Sequence, residues 1–273
     1  MRAFAMPVNS GPPRGQSGFT MIELSVALVV ALFLLAGLFT MEQSTRQTSQ
    51  QQTQLAQLQD GERLAMTIMT DVIQNAGFYP DPTANQAILA LPTVTSTPNM
   101  FVAGQGVYGV TAAGVDSVYI QYMSGGSVTD NAILCNGQQN TTGAPVTYIN
   151  QFSVDPVKQQ LLCTLSTNTG GVLAQVTNPP VELVDGVQNM TILYGVATPS
   201  KANGYTVDTY MTAAQIQAGT SGVSWNDVSS VQVTITFTNP LATTPAGLPV
   251  TGQPATVKFH RVIGIMSRTG VSS

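Results

Sequence analysis

The sequence predicts an α+β protein in which one long N-terminal helix packs on a C-terminal domain of antiparallel β-sheet. Three observations carry this expectation. Residues 19–40 form an apolar run that is almost free of charge. Apolar residues then recur at three-, four- and seven-residue spacing as far as Ile73, the pattern of a helix buried on one side. After Pro80 the chain changes to short alternating runs separated by Gly, Pro and Thr, the pattern of strands and turns.

Composition narrows the function classes. Of 273 residues, 43% are apolar, enough for a buried core, but only 8% are charged, against about 25% in an ordinary soluble protein. Solubility therefore rests on uncharged polar side chains. A net charge of −4 argues against a nucleic-acid face built on phosphate neutralisation. The single histidine, His260, excludes multi-histidine metal sites, and Cys135 and Cys163 are too few for a structural zinc site.

The apolar run reads FTMIELSVALVVALFLLAGLFT, and Glu23 is its one ionisable group. As an α-helix it spans about 33 Å, enough for a bilayer core. Arg2 and Arg14 precede it with no acidic residue, so the positive-inside rule places residues 1–18 in the cytoplasm and everything beyond Thr40 across the membrane. A secretory signal peptide fits poorly: the run exceeds the usual apolar length of about 7–15 residues, and no A-x-A site closes it. Glu23 is the telling residue. A carboxylate within a membrane span costs on the order of 2.5–3.5 kcal/mol on insertion scales, so it implies a function and a partner.

Gly18-Phe19-Thr20-Met21-Ile22-Glu23-Leu24 resembles the processing site of type IV prepilins. The resemblance implies cleavage between Gly18 and Phe19 by a prepilin peptidase and N-methylation of Phe19. Glu23 then stands fifth in the mature chain, where it neutralises the α-amino group of a neighbouring subunit in a low-dielectric helix bundle. Cleavage also removes Arg2 and Arg14 and leaves the mature chain more acidic.

Residues 41–60 are rich in Gln, Thr and Ser and contain no proline, as a solvated continuation of the same helix would be. Leu55, Leu58, Ala65, Ile68 and Val72, with Met69 and Ile73 beside them, form the stripe expected to pack on the sheet. Gly77 and Pro80 supply the stop, giving one helix of about 58 residues and about 85 Å, with Gly61 as the place for a bend. The expected organisation is a leader at 1–18, a transmembrane half-helix at 19–40, an amphipathic half-helix at 41–79 and a β-rich globular domain at 80–273.

Within that domain Val118, Ile120 and Tyr122 share a face, as do Met190, Ile192 and Tyr194. Val231, Val233, Ile235 and Phe237 alternate with Gln232, Thr234 and Thr236 as a half-buried antiparallel strand. Val257, Phe259, Ile263 and Ile265 mark a closing strand. Thr212-Ala213-Ala214-Gln215 is a capping box for a short helix. Several stretches resemble the PilW-type minor pilins of the type IV pilus. These are Leu58-Gln59-Asp60 to Ala76-Gly77-Phe78, Val181-Glu182-Leu183-Val184-Asp185-Gly186-Val187, Met190 to Val196, Trp225-Asn226-Asp227-Val228 and the closing strand through Arg261. The resemblance covers most of the chain and implies a type IV pilin-like fold. Locally, residues 181–196 read as a strand pair joined by a turn at Asp185-Gly186.

Other candidate chemistry is weak. Gly104-Gln105-Gly106-Val107-Tyr108-Gly109 matches G-x-G-x-x-G, but a β-like run follows where a dinucleotide site needs a helix. Cys135 and Cys163, expected in a periplasm, suit a disulfide closing a loop of roughly 28 residues, worth about 3–4 kcal/mol; two independent buried thiols are the alternative. His260 reads as a surface or strand-edge residue. Asp116, Asp130 and Asp155 stand singly among turns and match no calcium loop. Trp225 and the tyrosines suit core packing better than a glycan- or surface-binding patch.

No catalytic residues, metal ligands or cofactors emerge. The expected function is that of a minor pilin that helps prime pilus assembly, with incorporation at the fibre tip. Its implied partners are other minor and major pilins through the N-terminal helix, the prepilin peptidase, the inner-membrane assembly platform and the inner membrane. The rivals are a minor pseudopilin of type II secretion and a membrane-anchored periplasmic binding or adhesive domain.

Overall fold

The computed structural model describes residues 18, 20–83, 86–94, 101–126, 132–199, 206–243 and 248–268. The chain divides into two units, Met1–Gln52 and Thr53–Ser273, and helix α1 (Met21–Gln74) supplies residues to both.

In the first unit the helix begins where Thr20 can cap it. The Thr20 carbonyl accepts from the N–H groups of Glu23 and Leu24 at 3.1 and 3.2 Å. From Met21 to Gln52 every residue of α1 is exposed, although its most apolar window has a mean hydropathy of 2.6. This is the one described helix long and apolar enough to cross a membrane. Its hydroxyls are satisfied locally: Ser25 donates to the Ile22 carbonyl and Thr40 to that of Gly37, both at 2.8 Å. That removes the cost of carrying bare hydroxyls into an apolar environment.

The second unit contains the rest of α1 and two antiparallel sheets. Strands β1 (Val107–Ala112), β2 (Val115–Ser124), β3 (Val146–Asp155), β4 (Gln160–Thr169) and β5 (Val172–Gln175) pair in that order, and β6 (Val181–Asp185) pairs with β4. The second sheet also contains β7 (Val187–Val196), β8 (Thr209–Met211), β9 (Val228–Thr238) and β10 (Thr256–Gly264), in the order β10-β9-β7-β8. Two short helices, α2 (Ala87–Ala90) and α3 (Ala213–Gln217), lie in the connections.

Of the expected stripe, Ala65, Met69, Val72 and Ile73 are buried, while its outer members are not. The residues of α1 that become buried are Ala65, Met66, Met69, Val72 and Ile73. Leu58 and Ile68 only flank the core, and Leu55 stays 36% exposed. Leu55 and Leu58 share the phase of the buried stripe but precede Ala65, where α1 enters the core. Gly61 does not interrupt the helix; a Cβ there would stand 2.9 Å from Val184 Cγ1, so glycine serves close approach to β6. At the far end Gly77 takes φ +75° and donates to the Gln121 carbonyl at 2.9 Å, turning the chain out of the helix.

The strand faces follow the alternation closely. Val118, Ile120, Tyr122, Met190, Ile192, Tyr194, Val231, Val233, Ile235 and Phe237 are all buried in one core with the α1 stripe. On β10, Val257 and Phe259 are only part-buried, whereas Ile263 and Ile265 are buried, the latter just past the strand end. The Thr212 box forms in both directions, with Gln215 N–H to Thr212 Oγ1 and Thr212 N–H to Gln215 Oε1.

Residues 181–196 require a correction. They form two strands, but these do not pair with each other. β6 pairs with β4 in the first sheet and β7 pairs with β9 in the second. Gly186, at φ +77°, is the crossing point. Alternation marks a strand and its buried face; it does not name the neighbouring strand.

Candidate functional site

The N-terminal candidates lie at the start of α1. Gly18 is exposed, and Phe19 falls outside the described residues. Glu23 is exposed in the first turn and is the only ionisable residue from Met21 to Met41. A carboxylate there is favoured by the helix dipole, but the all-round apolar surface beyond it leaves no partner for that charge within the helix. Farther along, Glu42 and Arg46 form an i, i+4 ion pair at 2.7 Å, exposed on both sides, of the kind worth about 0.3–0.5 kcal/mol.

In the second unit Cys135 and Cys163 are joined by a disulfide with a Cα–Cα distance of 5.9 Å. Both are fully buried. Cys163 sits in β4 opposite Phe152 of β3, and Cys135 N–H donates to Asn150 Oδ1 at 2.8 Å. The bridge pins the segment between β2 and β3 onto the sheet.

The glycine motif serves packing. It leads into β1 rather than a helix. A Cβ at Gly106 would meet the backbone of Gly77, and one at Gly109 would meet the Tyr194 ring and hydroxyl. His260 is exposed on β10. Asp155 caps a turn by accepting from the N–H groups of Val157 and Lys158. Asp116 joins the sheets, accepting from Thr111 Oγ1 at 2.6 Å and from Ile192 N–H at 2.7 Å. Asp130 lies outside the described residues. Among the described residues no three His, Cys, Asp or Glu side chains are gathered so as to hold a metal ion.

Two features emerge only on folding. A groove of about 630 Å³ runs between α1 and the sheet crossing, lined by Leu58, Asp60, Leu64, Leu183, Asp185 and Phe237 among others. Beside it Gln160 Nε2 donates to Glu182 Oε2 and Asp185 Oδ1 at 2.5 and 3.1 Å. Partial desolvation, then the Asp185 carboxylate, hold Glu182 above the ordinary glutamate range. The second feature is aromatic. Trp225 lies 5.2 Å from Tyr108 and meets Tyr194 edge-on at 4.9 Å. It therefore packs against the core, while staying part-exposed above a second groove.

A long apolar helix thus precedes a domain of two antiparallel sheets. Two family models match the chain. One, described as a prokaryotic N-terminal methylation motif, covers residues 13–39. The other, described as type IV pilus-assembly protein W, covers residues 138–262. Together the two matches support a PilW-type type IV pilin with an N-terminal methylation motif. Among solved structures it is similar to a type IV-like pilin from Thermus thermophilus, with 10% identity over 78% of this chain and 98% of that one and a TM-score of 0.39. No curated protein matches it in sequence.

Proposed function

We propose that the chain is a structural subunit that helps prime type IV pilus assembly and is carried at the fibre tip. The observation that supports this best is the first unit: a methylation motif opening onto a helix that is apolar and exposed all round. Such a surface needs lipid or other apolar helices to cover it. In this reading residues 1–18 are a cytoplasmic leader, 19–40 anchor the chain in the inner membrane, and the sheet domain lies in the periplasm. Prepilin peptidase cuts between Gly18 and Phe19 and methylates Phe19. Glu23 neutralises the new amino group of a neighbouring pilin and thereby sets the register of lateral packing. Extraction from the membrane then passes through the assembly platform.

The match over residues 138–262 favours a pilus over a secretion pseudopilus. Mass spectrometry of the N-terminal peptide from membrane-extracted protein tests the first step. A peptide starting at N-methylated Phe19 is the expected result; an intact leader or a cut after Thr40 overturns the processing scheme. Deletion should then abolish or strongly reduce surface pili. Normal piliation would leave a membrane-anchored periplasmic domain as the better reading.

A further inference from the structure

Two grooves stand outside the assembly scheme, and the aromatic one carries an inference. It occupies about 440 Å³, within the range of roughly 300–1,000 Å³ typical of small-ligand sites. One wall is the 3-10 turn Trp225–Asp227, the other is α3, and Tyr108 of β1 lies between them. Both walls are held in place without any ligand. Asp227 Oδ2 accepts from Ser224 N–H and Oγ–H at 2.8 Å each, fixing the turn. Gln217 Nε2 donates to the Gly109 carbonyl at 2.8 Å and to Tyr108 Oη at 3.2 Å, fixing α3. Trp225 is braced by Tyr108 and Tyr194, so stacking on it costs little ordering entropy.

The lining selects the ligand class. None of its side chains carries a charge: it consists of Trp225, Tyr108, aliphatic Val102, Ile216 and Val223, a glycine, Ser224 and the amides of Gln105, Gln217 and Asn226. Arg268 reaches Asn226 Oδ1 at the rim, but no charged side chain lines the groove itself to pair a salt or phosphate group. Gln105 is buried with both amide atoms bonded, but a purely apolar ligand would cover Asn226 Nδ2 and Gln217 Oε1 at the rim without pairing them. A pyranose ring satisfies both requirements, with one C–H face to lay on an indole and hydroxyls at its rim for amides. Asn226 is exposed beside the indole, and its Oδ1 accepts from Arg268 at 3.4 Å, a bond in which its Nδ2 takes no part. We propose that this groove binds a neutral oligosaccharide, with Trp225 as the stacking platform. The proposal is independent of the assembly reading, since it concerns the sheet domain alone.

Trp225 is the only tryptophan, so intrinsic fluorescence reports on the groove. The full chain, in a polyoxyethylene detergent without a sugar head group, is titrated with maltotriose, cellotriose and triacetylchitotriose. A saturable change with at least one is expected. Val102→Glu, at a position 55% exposed at the groove, and Asn226→Ala should each weaken it at least about tenfold, a 1.4 kcal/mol effect, with the melting temperature unchanged. Absence of a saturable response to all three sugars overturns the proposal. So does a response that both variants leave intact. Saturation by choline but by none of the sugars assigns the aromatic groove to a cation and equally overturns it.

Discussion

Tyr194 is fully buried between the sheets, and its hydroxyl has no hydrogen-bond partner among the described residues. Burial, then the Asp116 and Tyr108 side chains, push that hydroxyl well above the usual tyrosine range. A buried polar atom without a partner costs about 1–3 kcal/mol, so Tyr194→Phe should raise stability, by about 1 kcal/mol, measured by chemical denaturation. A second residue-scale prediction concerns Glu182. Because its folded pKa is raised, the folded state holds its proton more tightly than the unfolded chain. Its contribution to stability is therefore present at low pH and is lost as pH rises from the unfolded value toward the folded one. Asp185→Asn should move the Glu182 titration, followed by carboxyl NMR, back toward the ordinary range. Neither effect was legible in the sequence. Tyr194 appeared there as one more member of an apolar face, and the Glu182–Asp185 pair depends on Gln160 arriving from another strand.

At the scale of elements, α1 depends on glycines that permit contact rather than flexibility. Gly61→Ala should destabilise the second unit by about 1 kcal/mol or more despite the better helix propensity of alanine, because the new methyl meets Val184. A gain in melting temperature would refute the close-approach account. At the other end of the helix, the proposed assembly scheme expects Glu23→Ala to leave cleavage after Gly18 intact while reducing piliation; normal piliation would sink the register idea. The strand faces at 118–122, 190–194 and 231–237 were readable because period-two burial is written locally. The partners of 181–185 and 187–196 were not, since pairing is decided by residues dozens of positions away. The same holds for the aromatic groove, whose walls come from segments near 102–108 and 216–226. In the sequence, Trp225 and the tyrosines favoured core packing over a glycan-binding patch until the fold placed them beside amides.

The whole molecule consists of a helix that needs company and a domain that does not. Every buried residue of α1 lies at or after Ala65, so the sheet domain takes only its last few turns as core. The disulfide, with both sulfurs fully buried, contributes about 3–4 kcal/mol in the loop-entropy account. Reduction should lower the melting temperature of the domain by several degrees, since about 1 kcal/mol corresponds to roughly 2–4 °C at this size. The late onset of burial along α1 also makes the protein divisible. A chain started near Thr53, where the second unit begins, keeps every buried residue of α1. Exported behind an added cleavable secretory signal, it should be recovered as a soluble monomer with Cys135 and Cys163 bridged, giving crystallographers and binding assays a detergent-free version of the sheet domain.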